Sequence, residues 1–290
     1  METVVKNEYM VPFDGSFEVG KSPTSPPPDQ NDKKSNKKLL KSLVTEFRDL
    51  QRMLYAHDRY SVLLIFQAMD AGGKDSTIRK VLTGVNPAGF QVSSFGVPSD
   101  EELDHDFLWR TTKRLPQRGR IGVFNRSYYE EALVVRVHPE ILAGQKLPDE
   151  ARPADIWQQR FESFRQYEQH LARNGTLILK FWLNVSKEEQ RIRFLSRLDE
   201  PEKWWKFKAG DVEERRYWDD YMAAFEELLN ATSRPWAPWY AIPADSKPFM
   251  RRLVAEIIVS SLKQLPIVYP AVNKEDMDEF EQMRQVLENE

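Results

Sequence analysis

The sequence lacks cysteine, long hydrophobic runs and an excess of positive charge. Without cysteine, the 290-residue chain has no disulfide framework, no cysteine-ligated zinc site and no thiol nucleophile. No apolar run reaches the roughly 18 residues of a membrane-spanning helix, and the amino-terminal residues METVVKNEYM lack the basic and then apolar order of a secretory signal. A formal charge of −3 does not favour a nucleic-acid binder. We therefore expect a cytoplasmic protein with no membrane or nucleic-acid partner.

The central part of the sequence alternates apolar runs of strand length with helical patterns. SVLLIF (61–66), GRIGVF (119–124) and TLILKFWLNV (176–185) predict central strands, because such runs are buried on both faces of a parallel sheet. Shorter strands are expected near residues 90–95 and within PWYAIPAD (238–245). The alternation predicts an α/β fold in which helices cover both faces of a mostly parallel sheet. Amphipathic patterns predict the helices over residues 39–56, 100–114, 154–175, 186–198, 211–231 and 247–262.

The two ends of the chain are predicted to be appendages of one main domain. Residues 20–38 are rich in Pro, Ser, Asp and Lys, so we expect residues 1–38 to form a flexible amino-terminal arm. The main domain is expected over residues 39–265, and a peripheral or intersubunit helix in the charged tail of residues 266–290.

The segment FQAMDAGGKDSTI follows the first central strand and has the parts of a phosphate-binding loop. Gly72 and Gly73 allow backbone N–H groups to turn inward, and Lys74 can bridge phosphate oxygens. Asp75 stands where such loops carry a magnesium-binding Ser or Thr, and Asp70 adds a second carboxylate. Carboxylates fit beside phosphate when a cation lies between them, so the segment predicts a metal-rich phosphate site. The simpler alternative is a glycine-containing turn with solvated acids.

The segment VFNRSYYEEALVVRVHP begins where the second central strand ends, at the sheet edge where α/β proteins bind ligands. Asn125 stands where phosphate-loop kinases usually carry an acid that contacts the metal shell. Arg126 follows it and could neutralise the oxygens of a transferring phosphoryl group. The nearby Arg110, Lys113 and Arg118 are more simply explained as a solvated basic face.

A third segment has the basic composition of a kinase lid. It is SKEEQRIRFLSRLDEPEKWWKFKAGD. Arg193 and Arg197 share one helical face, and Lys203 and Lys206 continue the positive charge among tryptophans. Kinases close such basic lids to exclude water from the reaction. The alternative is a surface helix laced with salt bridges.

Together these three segments resemble the polyphosphate kinase 2 family, phosphate-loop enzymes that phosphorylate nucleotides with inorganic polyphosphate. DAGGKDSTI is similar to its Walker A variant, FNRSYYEEALVVRVHPE to its Walker B block, and the RFxxRxxxPxKxWK pattern from Arg193 to Lys206 to its lid. Within the family, FNRS-Y-E with VVRVHP resembles the class III branch, which phosphorylates AMP and ADP. Tyr128 departs from that branch, where His is frequent at this position.

The resemblance implies a P-loop kinase core like that of thymidylate kinase, a three-layer α/β/α sandwich. Its parallel five-stranded sheet has the order 2-3-1-4-5, and a helical lid spans about residues 186–231. The resemblance also implies dependence on Mg²⁺ or Mn²⁺, a homodimer or homotetramer, and polyphosphate with AMP or ADP, or with GMP or GDP, as substrates.

The motifs and the resemblance together define the candidate site residues. Transfer is expected to be direct and in line, without a strong general base, because the attacking nucleotide phosphate is already ionised. An ATP-dependent nucleoside or nucleotide kinase and a non-catalytic phosphate-loop sensor remain the alternatives. The candidate residues are Asp70, Lys74, Arg126, Arg193 and Arg197 for catalysis; Ala71, Gly72, Gly73, Lys74, Asp75, Ser76, Lys203 and Lys206 for phosphate binding; Asn125, Arg126, Tyr129, Glu130, Val134, Arg136 and His138 for nucleotide binding; and Asp70 and Asp75 for the metal.

Overall fold

The computed structural model describes residues 5–290 and has one five-stranded sheet at its centre. The strands are β1 (Ser61–Gln67), β2 (Phe90–Ser94), β3 (Ile121–Asn125), β4 (Thr176–Asn184) and β5 (Trp239–Pro243). They lie in the order β2-β3-β1-β4-β5, and every neighbouring pair is parallel. This confirms the predicted P-loop kinase fold and its 2-3-1-4-5 sheet order.

Helices cover both faces of the sheet, and so β1, β3 and β5 are buried along their whole length. On one side, α1 (Lys33–His57) packs along α11 (Lys247–Lys263), which also contacts α2 (Lys74–Val81). On the other side, α7 (Ile156–Arg173) packs against β4 and α10 (Trp218–Thr232). Within the described residues, no helix combines the length and the apolar composition needed to cross a membrane. The helices are α1 (Lys33–His57), α2 (Lys74–Val81), α3 (Asp100–Leu103), α4 (Trp109–Thr112), α5 (Val134–Val137), α6 (Pro139–Gly144), α7 (Ile156–Arg173), α8 (Lys187–Asp199), α9 (Ala209–Glu213), α10 (Trp218–Thr232), α11 (Lys247–Lys263) and α12 (Lys274–Glu288).

The amino-terminal segment differs from the free arm that composition predicts. The Val11 N–H donates to the Trp239 carbonyl at 2.9 Å, and the Ala241 N–H donates to the Tyr9 carbonyl at 2.8 Å, so the segment pairs with the outer edge of β5. Val11 is fully buried. The first helix also begins at Lys33, within the stretch that was expected to be flexible. Pairing with a distant strand edge stabilises a segment that has too little apolar content to fold alone.

Two predicted helices are interrupted. The helix expected over residues 100–114 consists of the short helices α3 and α4. Ser99 starts α3 through a reciprocal capping box with Glu102, and the Asp106 side chain accepts from the Leu108 N–H at 2.9 Å in the turn before α4. The helix expected over residues 211–231 is divided into α9 and α10 by a 3-10 turn, Glu214–Tyr217. At the C-terminus, α12 forms a helix whose side chains are all exposed.

Candidate active site

The loop between β1 and α2 has the tight geometry of a phosphate-binding loop. Ala71 and Gly73 have φ values of 58° and 104°, in the left-handed region that favours glycine. A Cβ added at Gly72 would lie 2.6 Å from the Cβ of Ala68, so only glycine fits where the chain approaches itself. Helix α2 begins directly after Gly73, and its first-turn N–H groups are available to an anion.

Lys74 is folded into this loop. Its Nζ donates to the Ala68 carbonyl at 2.8 Å, and its side chain is buried. Burial, and after it the positive charge of Arg126, lower the pKa of Lys74 to about 8. Ser76 donates from Oγ to the Gly73 carbonyl at 3.1 Å, which closes the first turn of α2. The loop thus presents a desolvated ammonium group that a bound phosphate would stabilise.

The end of β3 is attached to the loop through both predicted metal carboxylates. Asn125 donates from Nδ2 to Asp75 Oδ1 at 2.9 Å, and Arg126 donates from Nη2 to Asp70 Oδ1 at 2.5 Å. Arg126 also lies 3.4 Å from Glu130 Oε2, and the charges of Glu130 and then Asp70 raise its pKa against the opposing effect of burial. The structure therefore brings together the acids of the first motif and the strand-end residues of the second.

Asp70 and Asp75 have the ligand chemistry that Mg²⁺ prefers. Among the hydrogen bonds of residues 5–290, only Oδ1 of each carboxylate is engaged, and each Oδ2 is left for a cation. No group of three or more acidic or histidine side chains in the described chain is arranged to hold a metal alone. Magnesium is usually held by one or two carboxylates together with substrate phosphates and water, so the two aspartates fit such a site.

Arg193 takes a different position from the one predicted. It was expected to neutralise the transferring oxygens, but it is buried with its guanidinium committed to the protein. Its Nη1 donates to the Ala71 and Gly72 carbonyls, both at 3.0 Å, its Nη2 to the Ala244 carbonyl at 2.5 Å, and its Nε to Glu189 at 2.8 Å. Arg193 holds the carbonyls of the phosphate loop, so it acts as a positioning residue in this arrangement.

Arg197 contacts other groups of the predicted lid. Its Nη1 donates to the Lys206 carbonyl at 3.1 Å and lies 3.5 Å from Asp211 Oδ2. Burial and then the negative charge of Asp70 raise the pKa of Asp211. The predicted phosphate ligands Lys203 and Lys206 also contact lid groups: Lys203 pairs with Glu200, and Lys206 lies over the Trp205 ring.

Tyr129 was expected to contact the nucleotide, and the structure places it in the core instead. Its hydroxyl donates to Glu168 Oε1 at 2.6 Å, and the Tyr128 hydroxyl donates to the same oxygen at 2.7 Å. Lys180 pairs with Glu168 Oε2 at 2.7 Å, and both side chains are fully buried. Sequence reasoning missed this network, although a lysine in the middle of the apolar run TLILKFWLNV was the signal for a buried partner.

A small cavity of about 30 Å³ lies between the loop and α10. Asp70, Arg126 and Glu130 line it, together with Glu214 and Tyr221, which the sequence analysis did not identify. The Tyr221 hydroxyl donates to Glu214 Oε2 at 2.9 Å. Burial has the largest effect on the pKa of Tyr221 and raises it, and the negative charge of Glu214 raises it further.

The other predicted nucleotide residues Val134, Arg136 and His138 are not among the residues that line this cavity. His138 lies with Nε2 3.0 Å from Glu214 Oε2, one of the lining residues. Arg136 forms an ion pair with Glu227, and Val134 is half-buried on α5. Glu130 and Arg126 are thus the predicted nucleotide residues that reach the cavity directly.

Comparisons with known proteins agree with this geometry. A family model described as Polyphosphate kinase 2 (PPK2) matches residues 30–267. An ADP-polyphosphate phosphotransferase of Rhodopseudomonas palustris is 54% identical over 271 residues, which cover 93% of this chain and 94% of the relative. An AMP/ADP-polyphosphate phosphotransferase of Meiothermus ruber is 44% identical over 264 residues, which cover 91% of this chain and 95% of the relative. The crystal structure of polyphosphate kinase 2 from Arthrobacter aurescens TC1 matches with a TM-score of 0.85 at 34% identity and covers 93% of both chains.

Proposed function

The chain belongs to the polyphosphate kinase 2 family, and on that premise we propose that it transfers the terminal phosphoryl group of inorganic polyphosphate to AMP and ADP. The products are ADP and ATP, and the reaction is reversible. The observation that carries the proposal is the 2.5 Å contact between Asp70 of the phosphate loop and Arg126 of the strand-end motif. This contact joins the phosphate loop, where polyphosphate would bind, to the segment that bears the predicted nucleotide-binding residue Glu130.

Each part of the cleft has a role in this reaction. The backbone N–H groups of the glycine loop at Gly72 and Gly73, together with Lys74, hold the terminal phosphate of the polyphosphate. Arg126 neutralises charge on the transferring oxygens, and its partial burial strengthens that effect because water screens it less. The acceptor phosphate is already ionised and attacks directly, so the residues mainly orient the two phosphates.

Asp70 and Asp75 would hold Mg²⁺ or Mn²⁺ together with phosphate oxygens. The metal would supply positive charge that offsets the repulsion between donor, acceptor and carboxylates. The free Oδ2 atoms of both aspartates support this assignment.

The acceptor is proposed to bind beside Glu130, with Asn125 at the strand end and Tyr221 on the opposite wall. The relative named for both AMP and ADP supports a site that takes either nucleotide. GMP and GDP are further candidate acceptors. We also propose that the protein is a cytoplasmic homo-oligomer, a dimer or a tetramer; the cysteine-free sequence fits a reducing compartment.

The test is to incubate the protein with magnesium, AMP and long-chain polyphosphate in the absence of ATP. We expect ADP to form first and ATP to follow. Lys74→Ala should lower the rate by about 10²–10³-fold, since it removes a charge from the phosphate cradle. ADP formation from ATP but never from polyphosphate would show an ATP-dependent kinase, and binding without turnover would show a sensor.

A further inference from the structure

We propose that Gln190 of α8 is a positioning residue for Asp70, and that Arg215 acts on Asp70 through it. Gln190 Nε2 donates to the Asp70 backbone carbonyl at 2.8 Å, and Gln190 Oε1 accepts from Arg215 Nη1 at 2.5 Å. Neither Gln190 nor Arg215 is among the candidate site residues that the sequence motifs define. The inference rests on the proposed function, in which Asp70 holds the metal, and it adds two residues that hold Asp70 in place.

The orientation of the Gln190 amide follows from its two partners. An arginine side chain has only donors, so the atom of Gln190 that faces Arg215 must be the oxygen. The amide nitrogen then faces the Asp70 carbonyl, which can only accept. Arg215 is fixed by a second bond, from Nη1 to the Lys187 carbonyl at 3.0 Å. Because Gln190 is buried, the loss of either partner would leave a polar group unsatisfied.

Gln190 and Arg193 together hold three successive carbonyls of the phosphate loop. Gln190 binds the carbonyl of Asp70. Arg193, which lies one turn later on α8, binds the carbonyls of Ala71 and Gly72, both at 3.0 Å. Carbonyl oxygens carry partial negative charge and would repel a phosphate that they faced. Their bonds to α8 keep these oxygens directed toward the helix.

The loop needs this support because its backbone is strained. Ala71 has a φ of 58°, and a residue with a Cβ keeps such a conformation only when the surrounding structure holds it. The carbonyl that Gln190 binds belongs to the peptide between Asp70 and Ala71. A rearrangement of this peptide would move the Asp70 side chain as well. The Gln190 bond therefore restrains both the strained residue and the aspartate that would hold the metal.

The 3-10 turn that carries Arg215 also forms part of the acceptor side of the cleft. Glu214, the residue before it, lines the same cavity as Asp70. The Glu214 carboxylate accepts from the Tyr221 hydroxyl at 2.9 Å. Consecutive residues of one turn thus contact the proposed acceptor wall and, through Gln190, the loop that would hold the donor.

The first test is Gln190→Glu, which keeps the size of the side chain and changes one bond. The carboxylate can still accept from Arg215, but it cannot donate to the Asp70 carbonyl. Loss of a partner that orients a metal ligand usually lowers metal affinity or activity by about 10–100-fold. We expect a loss of this size in kcat with an unchanged KM for AMP. Mn²⁺ binding in the presence of tripolyphosphate, followed by electron paramagnetic resonance, should weaken by a similar factor.

The second test asks whether Arg215 acts through Gln190. Arg215→Met leaves the Gln190 amide without the bond that orients it, so Mn²⁺ binding and kcat should both fall. In a protein that already carries Gln190→Met, the same Arg215 substitution should cause no further loss, because its partner is gone. Losses that multiply in the double variant would show that Arg215 acts independently, and would overturn the relay.

The matched control is Arg216→Met, since Arg216 is exposed in the same 3-10 turn. This variant removes the same charge and should keep the wild-type kcat and Mn²⁺ binding. Wild-type values in Gln190→Glu, or an equal loss in Arg216→Met, would overturn the inference. Arg215 is half-buried, so Arg215→Met gives the test if the Gln190 variants do not fold. A wild-type protein that forms no ADP from AMP and polyphosphate would refute the proposed function itself, whereas Mn²⁺ binding would still report on the position of Asp70.

Discussion

The buried ion pair between Lys180 and Glu168 should be far more sensitive to substitution than any surface pair. Lys180 Nζ donates to Glu168 at 2.7 Å, to the Tyr129 hydroxyl at 2.9 Å and to the Thr232 carbonyl at 2.9 Å, and both charged side chains are fully buried. Burial lowers the pKa of Lys180 to about 8, so desolvation outweighs the attraction of the carboxylate. Removal of one partner leaves the other as an uncompensated charge in the core.

The perturbation is Lys180→Met, Glu168→Gln and the double substitution. Each single change should lower the free energy of unfolding by about 3–5 kcal/mol. Lys180→Met leaves a carboxylate with only the two tyrosine hydroxyls, and Glu168→Gln leaves an ammonium group with neutral acceptors. The double variant should lose about 0.5–3 kcal/mol less than the sum, because neither charge then remains.

Equilibrium unfolding in urea at neutral pH gives these values from the midpoint and slope of each transition. The control is the exposed pair Glu188 and Arg191, whose side chains are 63% and 52% exposed. Glu188→Gln and Arg191→Met should each leave the urea midpoint close to that of wild type, because water screens an exposed ion pair. Losses below about 1 kcal/mol for both Lys180→Met and Glu168→Gln would refute the reasoning that this pair is an obligatory part of the core.

Three further predictions test other parts of the account. Arg126→Ala should lower kcat about 10²–10³-fold in steady-state kinetics, and an unchanged kcat would remove this residue from the transfer step. Asp70→Asn should shift the magnesium dependence of the rate to higher concentration, and a titration that matches wild type would contradict the metal assignment. Val11→Ala should lower the free energy of unfolding by about 1–3 kcal/mol, because Val11 is fully buried; no loss in urea would mean that the amino-terminal segment is not part of the core.

The fold could be predicted from the sequence because its strands carry local signals. The run SVLLIF is too apolar for any position except the middle of a covered sheet, and it leads directly into the glycine loop. The contact between Asp70 and Arg126 follows from the same logic, since the carboxyl ends of parallel neighbours lie at one edge. These two residues follow β1 and β3, which are neighbours in the sheet.

The remaining features of the fold and the site depend on contacts between residues far apart in the sequence, which no local pattern predicts. The four-residue spacing of Arg193 and Arg197 predicts a shared face, but it does not reveal that Arg193 binds carbonyls of the loop while Arg197 binds the lid. The pairing of Val11 with Trp239 joins residues at opposite ends of the chain, and composition carries no information about such pairing. The burial of Tyr129 is likewise a property of its partners on β4 and α7.

The central claim is that this cleft passes a phosphoryl group directly from polyphosphate to a nucleotide. The measurement that tests it most directly is to follow ³²P from labelled polyphosphate in a quenched reaction with AMP and magnesium and without ATP. We expect the label to enter the β-phosphate of ADP and the denatured protein to carry none. Lys74→Ala should slow the appearance of labelled ADP by about 10²–10³-fold. Label found only in free phosphate, or found on the protein before it reaches the nucleotide, would contradict direct transfer.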